Sequence, residues 1–328
     1  MRIWGLLALK LCVSATLLWW LVARLDFSTV AKILPSMDGG PAVFAFAVLL
    51  SHGVVSAERW RRICRKLRIV LSFGSTLRLF FISMFFNQTL STTIGGDAAR
   101  VWLLRAQGFS TLMAVASVVH ERIAGLLGLG VLALIATILI GDSNAWGMPI
   151  LVAVGGVLAG ILGAAAWTPV GPRWLRRSVR SCRLARRILL SVDGLQLLGL
   201  STVIHGIGAV AIYQVARAMG LSLELWVCLL VVPPTLLVAT LPISIGGWGV
   251  REAALVAVLA PLGVSAPDAF MVSVVFGVMV MAAGLPGGVL WLFRPGAHAR
   301  SKRTGRTLSP LQAGGAQRPA KARPATES

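Results

Sequence analysis

The sequence predicts an all-α, polytopic integral membrane protein of about seven to nine hydrophobic segments, two of them glycine-broken or re-entrant and placed as a pseudo-repeat. Three observations predict it. Of 328 residues, 57% are apolar and only 13% are charged, whereas soluble domains carry about 25% charged residues. The mean hydropathy is +0.84. Apolar runs near 4–23, 41–57, 123–141, 149–169, 196–216, 223–241 and 269–293 approach or reach the ~20 residues that a helix needs to cross a bilayer.

The elements follow in order. The first run starts behind Arg2 and continues to Ala23 without a small-x-small cleavage site, so it reads as an uncleaved span and not as a signal peptide. The run 41–57 is short and stops at a basic cluster from Arg59 to Arg68. The segment 70–94 closes on Asn87, Gln88, Thr89, Ser91, Thr92 and Thr93. Such polar residues suit a cavity better than lipid, so the segment is expected to dip into the membrane and return. The segment 250–262 is short in the same way. A second basic cluster, from Arg173 to Arg187, reads either as a helix on anionic headgroups or as a plain loop.

Charge sets the orientation. The net charge is +20, and the basic residues sit between and after the apolar runs, as cytoplasmic loop charges do. They therefore speak for a cytoplasmic face and against a nucleic-acid partner. The expected organisation is a multi-pass membrane domain over 1–293 in the cell inner membrane, with halves around 41–141 and 196–293. The N-terminus is expected in the cytoplasm, together with a disordered basic tail over 294–328. The four cysteines have neither metal-ligand nor redox-pair spacing and read as free thiols.

One internal echo carries the functional reading. Ile94-Gly95-Gly96-Asp97-Ala98-Ala99-Arg100 is repeated as Ile245-Gly246-Gly247-Trp248-Gly249-Val250-Arg251, once in each half. Glycine pairs break helices, and the helix that follows starts with free N–H groups and a positive dipole end. Paired breaks at corresponding places point to a transporter site. Arg100, Arg251, Gly95, Gly96, Gly246, Gly247 and Gly249 are therefore the expected substrate-binding residues, with the two arginines facing one cavity around an anionic lipid headgroup. Asp97, Glu121, Arg122 and Glu252 are expected as charge partners or proton sites, because charges at membrane depth need a partner or a cavity. Glu121 in particular is expected beside Arg100 or Arg251. Replacing either arginine by glutamine is expected to stop transport and spare the fold.

Enzyme readings fare worse. His120-Glu121 would need a second histidine at position 124 to make a metalloprotease pair, and that residue is Ala124. No phosphate loop or nucleophile elbow occurs. No metal and no cofactor are expected.

Gly95-Gly96-Asp97 with Arg100, Glu121-Arg122, the stretch from Pro242 to Glu252 and the closing Gly287-Gly288 together resemble the flippase-like membrane region of lysylphosphatidylglycerol synthases, over roughly 5–293. The resemblance implies translocation of a phospholipid or another anionic lipid between leaflets. The soluble aminoacyl-transfer part of the full synthase has no counterpart here, so lysylphosphatidylglycerol synthesis, or any enzyme activity, is not expected. The other reading is a non-catalytic accessory subunit bound to a membrane enzyme of lipid or glycolipid synthesis.

Overall fold

Asp38 opens the first described helix by accepting a hydrogen bond from the Gly40 N–H at 2.9 Å, the usual role of an N-cap carboxylate. In the computed structural model the described residues are 37–89, 95–140, 155, 192–239 and 248–293. The first span 4–23, the run 149–169 except residue 155, the cluster 173–187, the tail 294–328, Pro242, Gly246 and Gly247 lie outside them. The described residues form eight α-helices: α1 Gly39–Lys66, α2 Phe73–Thr89, α3 Gly95–Arg105, α4 Thr111–Ile140, α5 Val192–Ala218, α6 Leu225–Ala239, α7 Val250–Leu259 and α8 Ala266–Leu292. A short 3-10 turn, Ala260–Leu262, follows α7.

Four of these helices, α1, α4, α5 and α8, are long and apolar enough to cross a membrane. Large apolar side chains point outward on each, among them Val43, Ile138, Val203 and Val289, as lipid-facing residues do. The chain is thus a polytopic all-α membrane protein. All four are longer than the apolar runs that announce them, α1 and α4 most of all. Helix α1 has 28 residues and continues through the basic cluster, because Glu58 accepts from Arg61 at 2.7 Å and from Arg62 at 2.9 Å. Helix α4 has 30 residues and carries His120-Glu121-Arg122 inside it, with those charges paired.

The two halves repeat one pattern: a long helix, two short ones, a long one. The short helices α2, α3, α6 and α7 have 17, 11, 15 and 10 residues. At 1.5 Å per residue each falls short of the ~30 Å hydrocarbon core. Within each half α2 packs on α3 and α6 on α7. Across the halves α2 packs on α8, and α6 on α4, so exchanging the halves preserves the contacts. Helices α1 and α5 pack against each other in opposite directions. Lys66 at the end of α1 pairs with Asp193 at the start of α5, while the Asp38 N–H before α1 donates to the Ala218 carbonyl ending α5 at 2.8 Å. The halves are therefore inverted, and the short-helix pairs start from opposite ends of the bundle.

Small residues allow the close crossings, as in membrane bundles generally. Helix α8 meets α2 at Gly284, Gly287 and Gly288, and a Cβ at Gly287 would run into the Phe81 carbonyl. Backbone cannot yield as a side-chain tip can. Gly287→Ala is expected to lower stability by about 1–3 kcal/mol, read as a drop in the thermal midpoint of the detergent-purified protein. An unchanged midpoint would contradict this packing.

Candidate functional site

The first charged cluster is built by the first break. Helix α3 folds back on α2 because the Gly96 N–H donates to Asn87 Oδ1 at 2.8 Å, and a Cβ at Gly96 would strike the Ser83 carbonyl and Asn87. Gly95 is buried beside it. This fixes Asp97 in the first turn of α3, where a carboxylate complements the dipole. Arg100, one turn on, donates to Asp97 at 2.6 Å and to Glu121 of α4. Arg59 of α1 reaches the other Glu121 oxygen at 3.2 Å and donates to Ser201 of α5 at 2.9 Å. Arg122 donates to the second Asp97 oxygen at 2.9 Å.

The result is an alternating chain, Arg59–Glu121–Arg100–Asp97–Arg122, with three cations and two carboxylates. The rings of Trp60 and Phe80 lie 5.3 Å from the Arg100 guanidinium carbon, so apolar faces close over it. The Arg100 side chain is only 4% exposed, against 46% for Arg122. Both carboxylates are saturated by arginine, which is what buried charges require.

The second cluster is smaller. Gly249 takes φ +84°, a left-handed conformation that favours glycine, and the chain turns there into α7. Glu252 is fully buried and accepts from the Gly249 N–H at 2.5 Å. Arg251 donates to Glu252 at 2.5 Å and to Ser273 of α8 at 3.3 Å. Its guanidinium is seated against Gly277, where any Cβ would collide with it, and lies 4.8 Å from the Trp248 ring centre. Both halves follow one scheme. The arginine of the short helix bonds an acid on its own helix and one side chain on the long helix that follows. The first half supplies Glu121 for the second role and the second half the neutral Ser273. Arg251 therefore has a single carboxylate, and its Nη1 has no hydrogen-bond partner among the described residues.

Arg251 faces a cavity of about 250 Å³ at mid-length of the bundle. Its walls come from α1, α2, α5, α6, α7 and α8 and are mostly apolar, among them Leu49, Met84, Ile204, Leu236 and Phe276; His52, His205 and Arg251 are its ionisable lining. A smaller void of about 30 Å³ continues past Arg251 to Thr235 and Ser273. A separate groove of about 320 Å³ lies where α1 ends and α5 begins, lined by Arg61, Arg62, Arg65 and Lys66 with Glu58 and Asp193.

The sequence reading put Arg100 and Arg251 on one cavity. They have separate partners, and of the two it is Arg251 that lines the cavity. Glu121 stands with Arg100 and Arg59, not with Arg251. The expectation that either arginine can be lost without harm to the fold does not suit Arg100, nor Arg251 taken alone, because the loss of either would strand a buried carboxylate. Sequence reasoning also passed over Arg59, His52 and His205. The available signal was a histidine 13 residues into each of α1 and α5, inside an otherwise apolar stretch.

The profile of the family described as lysylphosphatidylglycerol synthase TM region matches residues 7–320. No curated protein matches the chain.

Proposed function

We propose that this chain, which belongs to the family of the lysylphosphatidylglycerol synthase transmembrane region, moves an anionic phospholipid between leaflets, with the headgroup phosphate held by Arg251. One observation carries the reading. Two pairs of half-length helices start from opposite ends of an inverted repeat, and α7 begins at a mid-length cavity lined by an arginine with a donor to spare. Transporters place their substrate sites at such helix breaks.

The chemistry is binding without bond making. A phosphodiester carries one negative charge and accepts the charge-assisted hydrogen bonds that a guanidinium gives. The N–H groups at the start of α7 add their positive dipole end. The apolar walls suit the glycerol and the first acyl carbons. The Arg100 network serves as a rigid counterpart, holding α1, α3, α4 and α5 together while the α6–α7 side moves. The basic groove between α1 and α5 draws anionic lipid to the cytoplasmic face of the inner membrane. On this reading the protein is a translocator and not an enzyme, and it works without a metal or a nucleotide.

The test is leaflet exchange in liposomes of defined composition. Anionic phosphatidylglycerol should exchange faster in the presence of the protein, and zwitterionic phosphatidylcholine should exchange much less. Equal rates with and without protein for both lipids would remove the translocation reading, and a stable enzyme partner on affinity purification would then favour the accessory role.

A further inference from the structure

We propose that His52 and His205 are proton-binding residues of the Arg251 cavity, so that an anionic headgroup is bound together with a proton. The proposal rests on the headgroup reading above and names what accompanies the lipid.

The two histidines are pseudo-symmetric. Each lies 13 residues into the first long helix of its half, and both line the same cavity. The hydrogen bonding of His205 sets its tautomer. Its Nε2 lies 2.9 Å from the Gly125 carbonyl, and a carbonyl only accepts, so Nε2 carries the hydrogen. The neutral ring then keeps its lone pair on Nδ1, which has no partner among the described residues. His52 makes no side-chain hydrogen bond among the described residues. Imidazole nitrogens in a mostly apolar cavity, beside an arginine with an unused N–H, are groups arranged for a polar occupant.

The charges around the pair decide when it protonates. On α1, Arg59 lies two turns beyond His52. On α5, Ser201 lies one turn before His205 and holds Arg59. On α4, Glu121 is neutralised between Arg59 and Arg100. On α7, Arg251 is paired with Glu252. The lining residues from α2, α6 and α8 carry no charge. The network beside the cavity thus carries one cation more than it has carboxylates. A phosphodiester on Arg251 reverses the local balance and favours the imidazolium. One imidazole N–H bond forms as one bond to hydrogen in hydronium or a buffer acid breaks, and no other bond changes. By reciprocity, the proton must then favour the lipid. Affinity is therefore greatest at low pH and falls as pH rises, by about tenfold per pH unit wherever one proton is taken up on binding.

The experiment is calorimetric titration of the purified full chain with short-chain phosphatidylglycerol at about pH 7, in buffers of different ionisation heat. Short-chain phosphatidylcholine and dimethyl phosphate serve as comparisons. Net proton uptake, at most one per phosphatidylglycerol, should be found and should grow as the pH is lowered from about 7 towards about 5. In the double variant His52→Asn, His205→Gln the uptake should vanish while weaker binding persists. The glutamine amide can still donate to the Gly125 carbonyl, and either single variant should already lower the uptake. Binding without proton uptake, or uptake unchanged in the variants, would overturn the proposal and leave the headgroup reading standing. No binding of phosphatidylglycerol, or dimethyl phosphate binding as tightly as the lipid, would overturn the lipid reading and the proposal with it.

Discussion

Arg100→Gln is expected to remove the protein from the membrane and not merely to silence it. Arg100 is the middle link of the alternating chain, bonded to Asp97 and Glu121 and closed over by Trp60 and Phe80. Glutamine is neutral and shorter. It would leave Glu121 with Arg59 alone and Asp97 with the half-exposed Arg122. Removing one member of a buried ion network costs about 3–5 kcal/mol, a large part of the stability of most proteins. Helices α1, α3 and α4 are held through this one residue, so the loss is not local. Arg122→Gln, at the exposed end of the same chain, should cost much less. The measurement is the fraction of monodisperse protein left after heating, by fluorescence-detected size exclusion. An Arg100→Gln protein that melts with the wild type would refute the structural role.

Arg251 gives the opposite pattern once its buried partner is dealt with. Arg251→Gln alone leaves the fully buried Glu252 carboxylate uncompensated, so it confounds stability with function. The informative variant is Arg251→Gln with Glu252→Gln. It removes both charges together, which costs far less than breaking the pair, and the new amide oxygen can still accept from the Gly249 N–H. This variant should fold, yet bind an anionic headgroup roughly 10- to 100-fold more weakly, as expected for losing charge-assisted hydrogen bonds of about 1.5–3 kcal/mol. Exchange of anionic lipid should fall with it. A folded double variant with wild-type exchange would contradict the assignment of the headgroup to Arg251.

Composition and run length made the membrane fold legible, and the two Ile-Gly-Gly…Arg echoes pointed to the breaks that precede α3 and α7. Element lengths were harder. The basic cluster from Arg59 to Arg68 masked the end of α1, because hydropathy cannot see that Glu58 satisfies two of those arginines. Glu121 was expected beside Arg100 or Arg251; that it is Arg100, that Arg59 shares it and that Arg122 pairs with Asp97 need the packing of the helices. The two arginines also looked equivalent. What separates them is the long helix that follows each, which carries Glu121 in one half and Ser273 in the other, and this needs the register of the two halves. His52 and His205 were missed for the same reason. A lone histidine in an apolar run draws no notice until the repeat sets it opposite its counterpart.

Photo-crosslinking of phosphatidylglycerol carrying a diazirine on its headgroup, followed by mapping of the modified peptides, tests the central claim most directly. Adducts are expected on the cavity wall, on the stretches of α1 around Leu49 and His52, of α2 around Met84 and of α5 around His205. They should be lost in the Arg251→Gln, Glu252→Gln variant. Adducts confined to the outward-facing side chains, such as Val43, Ile138 and Val203, and unchanged in that variant, would contradict a headgroup site in the cavity.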